Sequence, residues 1–148
     1  MMDFDTTVKL KIYSTIAEQA RVPGAVGVAQ ALDAPIEEVL AAFERLHQQR
    51  LLVPEPGDQL RIRMAPPFSG VETPFPVRVG DKKYFANCIW DALGIPAALH
   101  ADAVVESSDG FNGEPLYLEV RNGKPVSQDC VIHFAVPAAR WWQDIIYT

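Results

Sequence analysis

The chain has 148 residues, a formal net charge of −6 and 49% hydrophobic residues. This length suits one ordinary domain or two very small ones, and the apolar fraction is sufficient for a core. The negative charge disfavours nonspecific binding to nucleic acid or anionic membranes, since phosphate groups repel an acidic surface. No apolar run approaches the ~20 residues that cross a bilayer, and MMDFDTTVKLK lacks the order of a signal peptide. We therefore expect a cytoplasmic protein in which Cys88 and Cys130 are free thiols.

The N-terminal part predicts three helices followed by a β-hairpin. In TTVKLKIYSTIAEQAR, Val8, Ile12 and Ile16 recur every four residues, which indicates a helix with one apolar face. AVGVAQAL predicts a short second helix, and DAPIEEVLAAFERLHQQRLL predicts a third, with Asp33 near its N-cap. LLVPEPGDQLRIRM predicts a hairpin, because a PEPGD turn separates two apolar runs. This order is typical of a winged helix-turn-helix.

The proline-rich stretch APPFSGVETPFPVR predicts a boundary. We expect a winged-helix-like module at residues 1–66, a connector at 67–75 and a second domain at 76–148. In that domain, PVRVGDKKYFA predicts two strands, and ANCIWDALGIP predicts a short helix stopped by Gly94 and Pro96. DAVVES, PLYLEVR and CVIHFAVP predict three further strands. The expected fold class is α+β, with the helical module packed on a small mixed β-sheet that carries one cysteine-bearing helix.

The winged-helix pattern raises the question of DNA binding, which the charges disfavour. A recognition helix presents its N-terminal residues to the major groove, and here these include Glu37 and Glu38. Residues 1–66 carry seven Lys or Arg and nine Asp or Glu, whereas a DNA-reading domain is usually strongly basic. We therefore expect a structural module that packs on the second domain, and nucleic acid is an improbable partner.

Cys88 and Asp91 lie three residues apart in the predicted helix, so their side chains should be neighbours on one face. A cysteine in an apolar helix is ordinarily a small buried hydrophobe. An aspartate between Trp90 and Ala92, however, must find a partner or have a raised pKa. A raised pKa would keep the acid protonated near neutrality, beside a soft nucleophile. The spacing alone is not specific, because Cys-x-x-Asp is common by chance.

Residues 65–98, which contain ANCIWDALGIP, and residues 131–148, VIHFAVPAARWWQDIIYT, are the most informative segments. Both resemble the alkylmercury lyase (organomercurial lyase) family. A winged-helix-like region followed by a mixed-sheet region is also similar to that family's architecture. The resemblance implies that Cys88 and Asp91 are catalytic, and that the N-terminal module helps to cover the site.

The activity implied by this resemblance is cleavage of a carbon–mercury bond by protonolysis. Mercury(II) is soft and prefers thiolate, so Cys88 would bind the metal of an organomercurial or another soft metal ion. Asp91 would protonate the carbon and release the hydrocarbon. The resemblance implies Cys88 and Asp91 as metal-binding residues, and Cys130, the other thiol of the sequence, is a further candidate. No organic cofactor is expected, and cellular thiols would carry the Hg²⁺ product away.

The sequence departs from the family at its second catalytic cysteine, which aligns just after AARWWQDIIYT. Because the sequence ends at Thr148, we expect either a fragment or a short form that lacks this residue. Cys130 does not align with it. A buried strand position is the expectation for Cys130, which could serve as the second thiol only if its strand runs beside the Cys88 helix.

Several further residues are candidates for the site. Tyr84, Phe85 and Trp90 are the expected substrate-binding residues, since aromatic side chains could line an apolar entrance for the alkyl group. His133 alternates with Ile132 in CVIHFAVP and is expected to be a strand histidine with satisfied hydrogen bonds.

The sequence leaves three functions open. The first is an alkylmercury lyase, or a shortened relative that binds thiophilic metal at Cys88. The alternative from a different class is a noncatalytic winged-helix protein, acting as a metal-responsive regulator or a partner-binding module. The third is a thiol-dependent enzyme of the same fold with another substrate.

Overall fold

The computed structural model describes residues 2–126 and 129–147. Within these ranges the chain forms four α-helices, eight β-strands and one 3-10 helix. In chain order they are α1 (Phe4–Gln19), α2 (Ala25–Leu32), α3 (Ile36–Gln48), β1 (Val53–Glu55), β2 (Asp58–Ala65), β3 (Phe68–Ser69), β4 (Pro76–Val79), β5 (Lys82–Phe85), α4 (Ile89–Leu99), β6 (Ala103–Ser108), β7 (Pro115–Arg121), β8 (Lys124–Pro125) and a 3-10 helix (Ala138–Gln143). The α+β class predicted from the sequence is confirmed.

Helix α1 follows its sequence pattern closely. Asp3 is the N-cap, and its carboxylate accepts the backbone N–H of Thr6 at 2.9 Å, which satisfies one of the free donors at the helix start. The predicted apolar face is correct, because Val8, Ile12 and Ile16 are all buried.

The junction between α2 and α3 differs from the prediction. Asp33 is the C-cap of α2, in a left-handed conformation with φ 50°, and not the N-cap of α3. Pro35 is the N-cap of α3, where its fixed φ suits the entry into a helix. Glu37 and Glu38 occupy the first turn of α3, as predicted.

The strands form two sheets, and every pairing in them is antiparallel. The first sheet has the order β1-β2-β3, and the second has the order β5-β4-β6-β7-β8. The predicted mixed sheet is therefore wrong. Short connections explain the difference, since a two-residue turn such as Gly80-Asp81 between β4 and β5 can join only antiparallel strands.

The predicted strand CVIHFAVP is also wrong, because residues 130–137 form neither a strand nor a helix. Their apolar pattern has another cause. The ring of Phe134 packs against Trp90 at 6.3 Å and Trp141 at 5.3 Å between centroids. The segment therefore contributes side chains to a cluster of rings without pairing its backbone to a sheet.

Helix α4 is longer than predicted. It continues through Gly94 and Pro96 and ends at His100, which adopts the left-handed conformation. Gly94 permits a close approach between α4 and Pro67, because a Cβ at this position would lie 3.3 Å from the Cβ of Pro67. Pro96 removes one helical N–H donor, but the residue is buried and α4 packs on β4 and β6, which holds the helix together.

One hydrophobic core extends through the predicted module, connector and second domain. It contains Ile12 and Val39 from the helices, Phe68 from the connector, and Val77 and Val105 from the second sheet. Phe68 pairs with Ala65 in the first sheet and forms a bridge with Ala86, just after β5. The connector is thus part of the folded core, while the boundaries 1–66, 67–75 and 76–148 stay predictions.

None of the helices in the described ranges has both the length and the apolar character that a membrane span requires.

The shared core leads to a prediction for stability. Ile12 is 0% exposed, so Ile12→Ala should lower the free energy of unfolding by about 2–5 kcal/mol through lost burial and a residual cavity. Leu10→Ala in the same helix is the control, since Leu10 is 51% exposed. Urea unfolding followed by far-UV and near-UV circular dichroism should show one shifted transition. Two separate transitions would contradict a single continuous core.

Candidate active site

Cys88 lies at the N-terminal end of α4 and not within the helix. Cys88 is the N-cap, with extended backbone angles of φ −152° and ψ 179°, and its carbonyl accepts the N–H of Ala92 at 2.9 Å. The residue is partly exposed. This position corrects the expectation of a fully helical Cys-x-x-Asp pair, and it places the sulfur beside the unpaired backbone N–H groups of the first turn.

Asp91 occupies the third residue of α4, in the turn that starts at Cys88. Side chains at the N-cap and at the third helical position approach each other across the first turn. Asp91 is half-buried, and its Oδ2 accepts a hydrogen bond from the Nδ2 of Asn87 at 2.9 Å. The predicted proximity of the thiol and the carboxyl group is thus provided by a helix cap.

Burial is the main influence on the thiol. It raises the pKa of Cys88 above its ordinary value, and the negative charge of Asp91 acts in the same direction. The backbone amides of Asp91 and Trp90 favour the thiolate and oppose this rise in pKa, although neither amide makes a full capping hydrogen bond. At neutral pH the free site therefore holds a protonated thiol.

The carboxyl group of Asp91 is affected in the same way. Burial raises its pKa, and the hydrogen bond from Asn87 partly offsets that increase. Tyr13 of α1 is close enough to be influenced by this charge: burial, with a smaller contribution from Asp91, raises the pKa of Tyr13 to about 12. The surroundings favour the neutral form of each of the three groups.

A cavity of about 400 Å³ opens in front of Cys88. One side is formed by Asn87, Cys88 and Ile89 at the start of α4. The rest of its wall consists of Phe75 and residues of the C-terminal segment, namely His133, Phe134, Ala135, Val136, Trp141, Ile146 and Tyr147. Asp91 is not among the residues that line this cavity, although its carboxyl group accepts a hydrogen bond from Asn87, which does line it. Most of the lining residues are apolar, and Cys88 contributes a thiol to the wall.

The three expected substrate-binding residues do not share this cavity. Tyr84 is only 3% exposed, and its hydroxyl donates to the carbonyl of Ala17 at 3.1 Å. Tyr84 and Phe85 line a separate cavity beside the end of α1. Trp90 is adjacent to the site but 57% exposed, and it contacts the cavity wall through the ring of Phe134.

Cys130 is exposed and is not among the residues that line the cavity. Its expected strand does not form, so the condition under which it could approach Cys88 is not met. In residues 2–126 and 129–147, no three His, Cys, Asp or Glu side chains form a metal-binding cluster. The part of the chain that is described therefore does not bring Cys88, Asp91 and Cys130 together.

The structure adds residues that the sequence analysis missed or placed elsewhere. His133, expected in a strand, lies on the cavity wall with Phe134 and Trp141. Asn87, which no sequence argument selected, contacts Asp91 directly. The only signal for Asn87 was its position next to Cys88, and the signal for the aromatic wall was the WW pair in AARWWQD.

These observations define a thiol–carboxylate site on an α+β fold, with an apolar cavity in front of the thiol. The family model for alkylmercury lyase (MerB) matches residues 68–148, more than half of the chain, including Cys88, Asp91 and the cavity wall. The chain belongs to the alkylmercury lyase family.

The fold is also similar to that of a solved structure. A solved structure described as the mercury-bound form of MerB2 superposes with a TM-score of 0.66 over 86% of this chain, at 22% sequence identity. The present chain spans 60% of that protein's chain. No curated protein matches the sequence.

The elevated pKa of Cys88 predicts slow reaction with iodoacetamide at neutral pH. Because the thiolate is the reactive species, the rate should fall about tenfold, relative to a small-molecule thiol, for each unit by which the pKa is raised. Alkylation of a Cys130→Ser protein between pH 6 and pH 10 would measure this directly, with Cys88→Ser as the matched control. Reaction at neutral pH as fast as that of the small thiol would contradict a desolvated Cys88.

The raised pKa of Asp91 predicts a pH-dependent loss of stability. Between its unfolded and folded pKa values the folded chain binds more protons, so the free energy of unfolding decreases as the pH rises through that interval. Asp91→Asn removes this loss and should be more stable than the wild type above the interval, with little difference below it. Urea denaturation at several pH values measures the effect. The exposed Asp129→Asn is the control and should show no comparable gain.

Proposed function

We propose that this protein is an organomercurial lyase-like enzyme that cleaves carbon–mercury bonds by protonolysis, with Cys88 as metal-binding nucleophile and Asp91 as acid. The observation that carries the proposal is the half-buried Cys88 thiol, placed at an apolar cavity with the Asp91 carboxyl group in the same helical turn. Family membership supports this chemistry.

The first step is capture of the substrate. The cavity receives the organic group R of R–Hg⁺ among Phe75, Phe134 and Trp141, while the soft metal binds the sulfur of Cys88. A sulfur–mercury bond forms as the thiol loses its proton. Asp91, when ionised, accepts that proton. This one transfer removes the buried carboxylate charge, and the sulfur carries no free negative charge because it is bonded to mercury.

The second step is cleavage. The proton on Asp91 passes to the carbon bound to mercury, the electron pair of the carbon–mercury bond forms the new C–H bond, and R–H leaves. Mercury remains on Cys88 as Hg²⁺, and Asp91 returns to the carboxylate. A cellular thiol then takes the ion away by exchange.

The N-terminal module is assigned a structural role in this proposal. Its helices and hairpin would form a winged-helix-like cover, and they contact the connector and the C-terminal segment. Tyr13 packs on Phe68, with 6.2 Å between ring centroids, and the guanidinium of Arg50 lies 5.9 Å from the ring centroid of Trp142. These contacts support a covering and bracing function for α1 and α3.

A DNA-binding regulator is the competing function, and the exposed surface of α3 argues against it. Glu37 and Glu38 are both exposed in its first turn, where they would face phosphate groups. Arg45 is engaged by Asp5, with a 2.6 Å ion pair, and this lowers the positive charge available to a nucleic acid.

The lyase proposal predicts release of hydrocarbon from an organomercurial. Phenylmercury with excess thiol should give benzene with the wild type, and none with Cys88→Ser because the metal then has no thiolate. Asp91→Ala should bind phenylmercury but release benzene at least about 100-fold more slowly, since proton transfer by a positioned acid contributes that much. Gas chromatography measures the product, and Cys130→Ser serves as a matched thiol control that should retain activity.

Two results would point elsewhere. Absence of benzene from folded, thiol-competent wild-type protein would remove the lyase proposal. A metal-dependent gel shift on DNA that weakens with added salt would favour the regulator instead.

A further inference from the structure

Asn87 makes hydrogen bonds that neither the proposed chemistry nor the sequence pattern assigns to any role. Its Nδ2 donates to Asp91 Oδ2 at 2.9 Å and to the backbone carbonyl of Phe68 at 3.3 Å. An asparagine amide carries two N–H donors, so both are used. The side chain thus connects the first turn of α4 to strand β3.

The anchor at Phe68 is rigid. Phe68 is 3% exposed, and its ring packs against Tyr13 and Tyr84 with centroid distances of 6.2 and 5.6 Å. Its backbone is held by pairing with Ala65 and by the bridge to Ala86. A carbonyl fixed in this way can define the position of the amide that it binds.

The orientation of the Asn87 amide is determined by its neighbours. Both groups near Nδ2 are acceptors, namely a backbone carbonyl and a carboxyl oxygen, so the oxygen of the amide cannot take that place without repulsion. The amide oxygen, Oδ1, is buried and has no hydrogen-bond partner among the described residues. In this orientation both N–H donors of Asn87 are hydrogen-bonded, whereas its buried amide oxygen is not hydrogen-bonded to any described residue. A buried polar atom without a hydrogen bond is rare in folded proteins and requires an explanation.

We propose that Asn87 is a positioning residue that orients the carboxyl group of Asp91 for proton transfer to carbon. Because Oδ2 of Asp91 accepts the amide N–H, its transferable proton resides on Oδ1, which accepts no hydrogen bond from the described residues. Asn87 therefore selects which carboxyl oxygen delivers the proton. This inference rests on the proposed lyase chemistry, and it adds a residue to it.

The test separates capture of the organomercurial from cleavage of its carbon–mercury bond. In a Cys130→Ser background, loss of the Cys88 thiol after addition of phenylmercury reports capture, and benzene formation in a single turnover reports cleavage. Asn87→Leu has a similar size and no donor. It should slow benzene formation by about 100-fold, as expected for a misplaced catalytic group, while capture changes less than about threefold.

Thr73→Val is the matched control. It removes a neighbouring hydrogen bond, from the Thr73 hydroxyl to the carbonyl of Ala86 at 2.6 Å, without contacting Asp91. Thr73→Val should lower the free energy of unfolding, but it should not slow benzene formation more than it slows capture of phenylmercury. Equal losses of capture and cleavage in Asn87→Leu, or cleavage as fast as in Thr73→Val, would overturn the positioning role and leave Asn87 as a structural contact.

A second measurement does not depend on turnover or on the folding of the Asn87→Leu variant. In ¹⁵N-labelled protein the two Asn87 side-chain amide protons should exchange slowly with solvent, and Asp91→Ala should shift the resonance of one of them. Fast exchange of both protons, or no shift in Asp91→Ala, refutes the bridge even if benzene is released. Failure of the wild type to release benzene, with the amide signals as expected, counts against the lyase proposal and not against the bridge.

Discussion

The packing of Phe68 between Tyr13 and Tyr84 is the contact on which the architecture of the site depends. Phe68 belongs to a two-residue strand in a proline-rich connector, yet it joins both sheets through Ala65 and Ala86. Apolar burial of one aromatic ring therefore fixes a stretch of backbone that the local sequence alone would leave irregular. Through its carbonyl, this stretch reaches the side chain beside Cys88.

The proposed chemistry depends on the incomplete burial of Cys88 and Asp91. A thiol and a carboxylic acid in full contact with water would both have ordinary pKa values, and in a sealed core neither could meet a substrate. At the start of α4, Cys88 and Asp91 are half-buried, so the neutral forms are favoured while the sulfur still borders a cavity. In the proposed reaction, a soft metal would replace the thiol proton and bond to sulfur without leaving a bare charge in an apolar setting.

The cavity is assembled from distant parts of the chain. The start of α4 supplies the thiol, while the segment around Phe134 and Trp141 supplies the aromatic wall, and Trp90 connects the two through ring contacts. The N-terminal part contributes two contacts: the hydroxyl of Tyr13 donates to the carbonyl of Pro66, and Arg50 packs on the ring of Trp142. The helices of the N-terminal part thus share contacts with the connector and with the segment that lines the cavity.

The sequence by itself determined the helices of the N-terminal part, most of the strands, the α+β class and the closeness of Cys88 and Asp91 along the chain. These features depend on local periodicity, on turn residues, and on two reactive groups three positions apart. Only the tertiary structure decided that Cys88 caps a helix, that CVIHFAVP is not a strand, that Tyr84 is in the core, and that Asn87 contacts Asp91. Each of these features depends on which distant part of the chain a side chain contacts. An alternating apolar sequence, or a glycine followed by a proline, reads the same whether the contacted partner is a sheet edge, a helix or a cluster of aromatic rings.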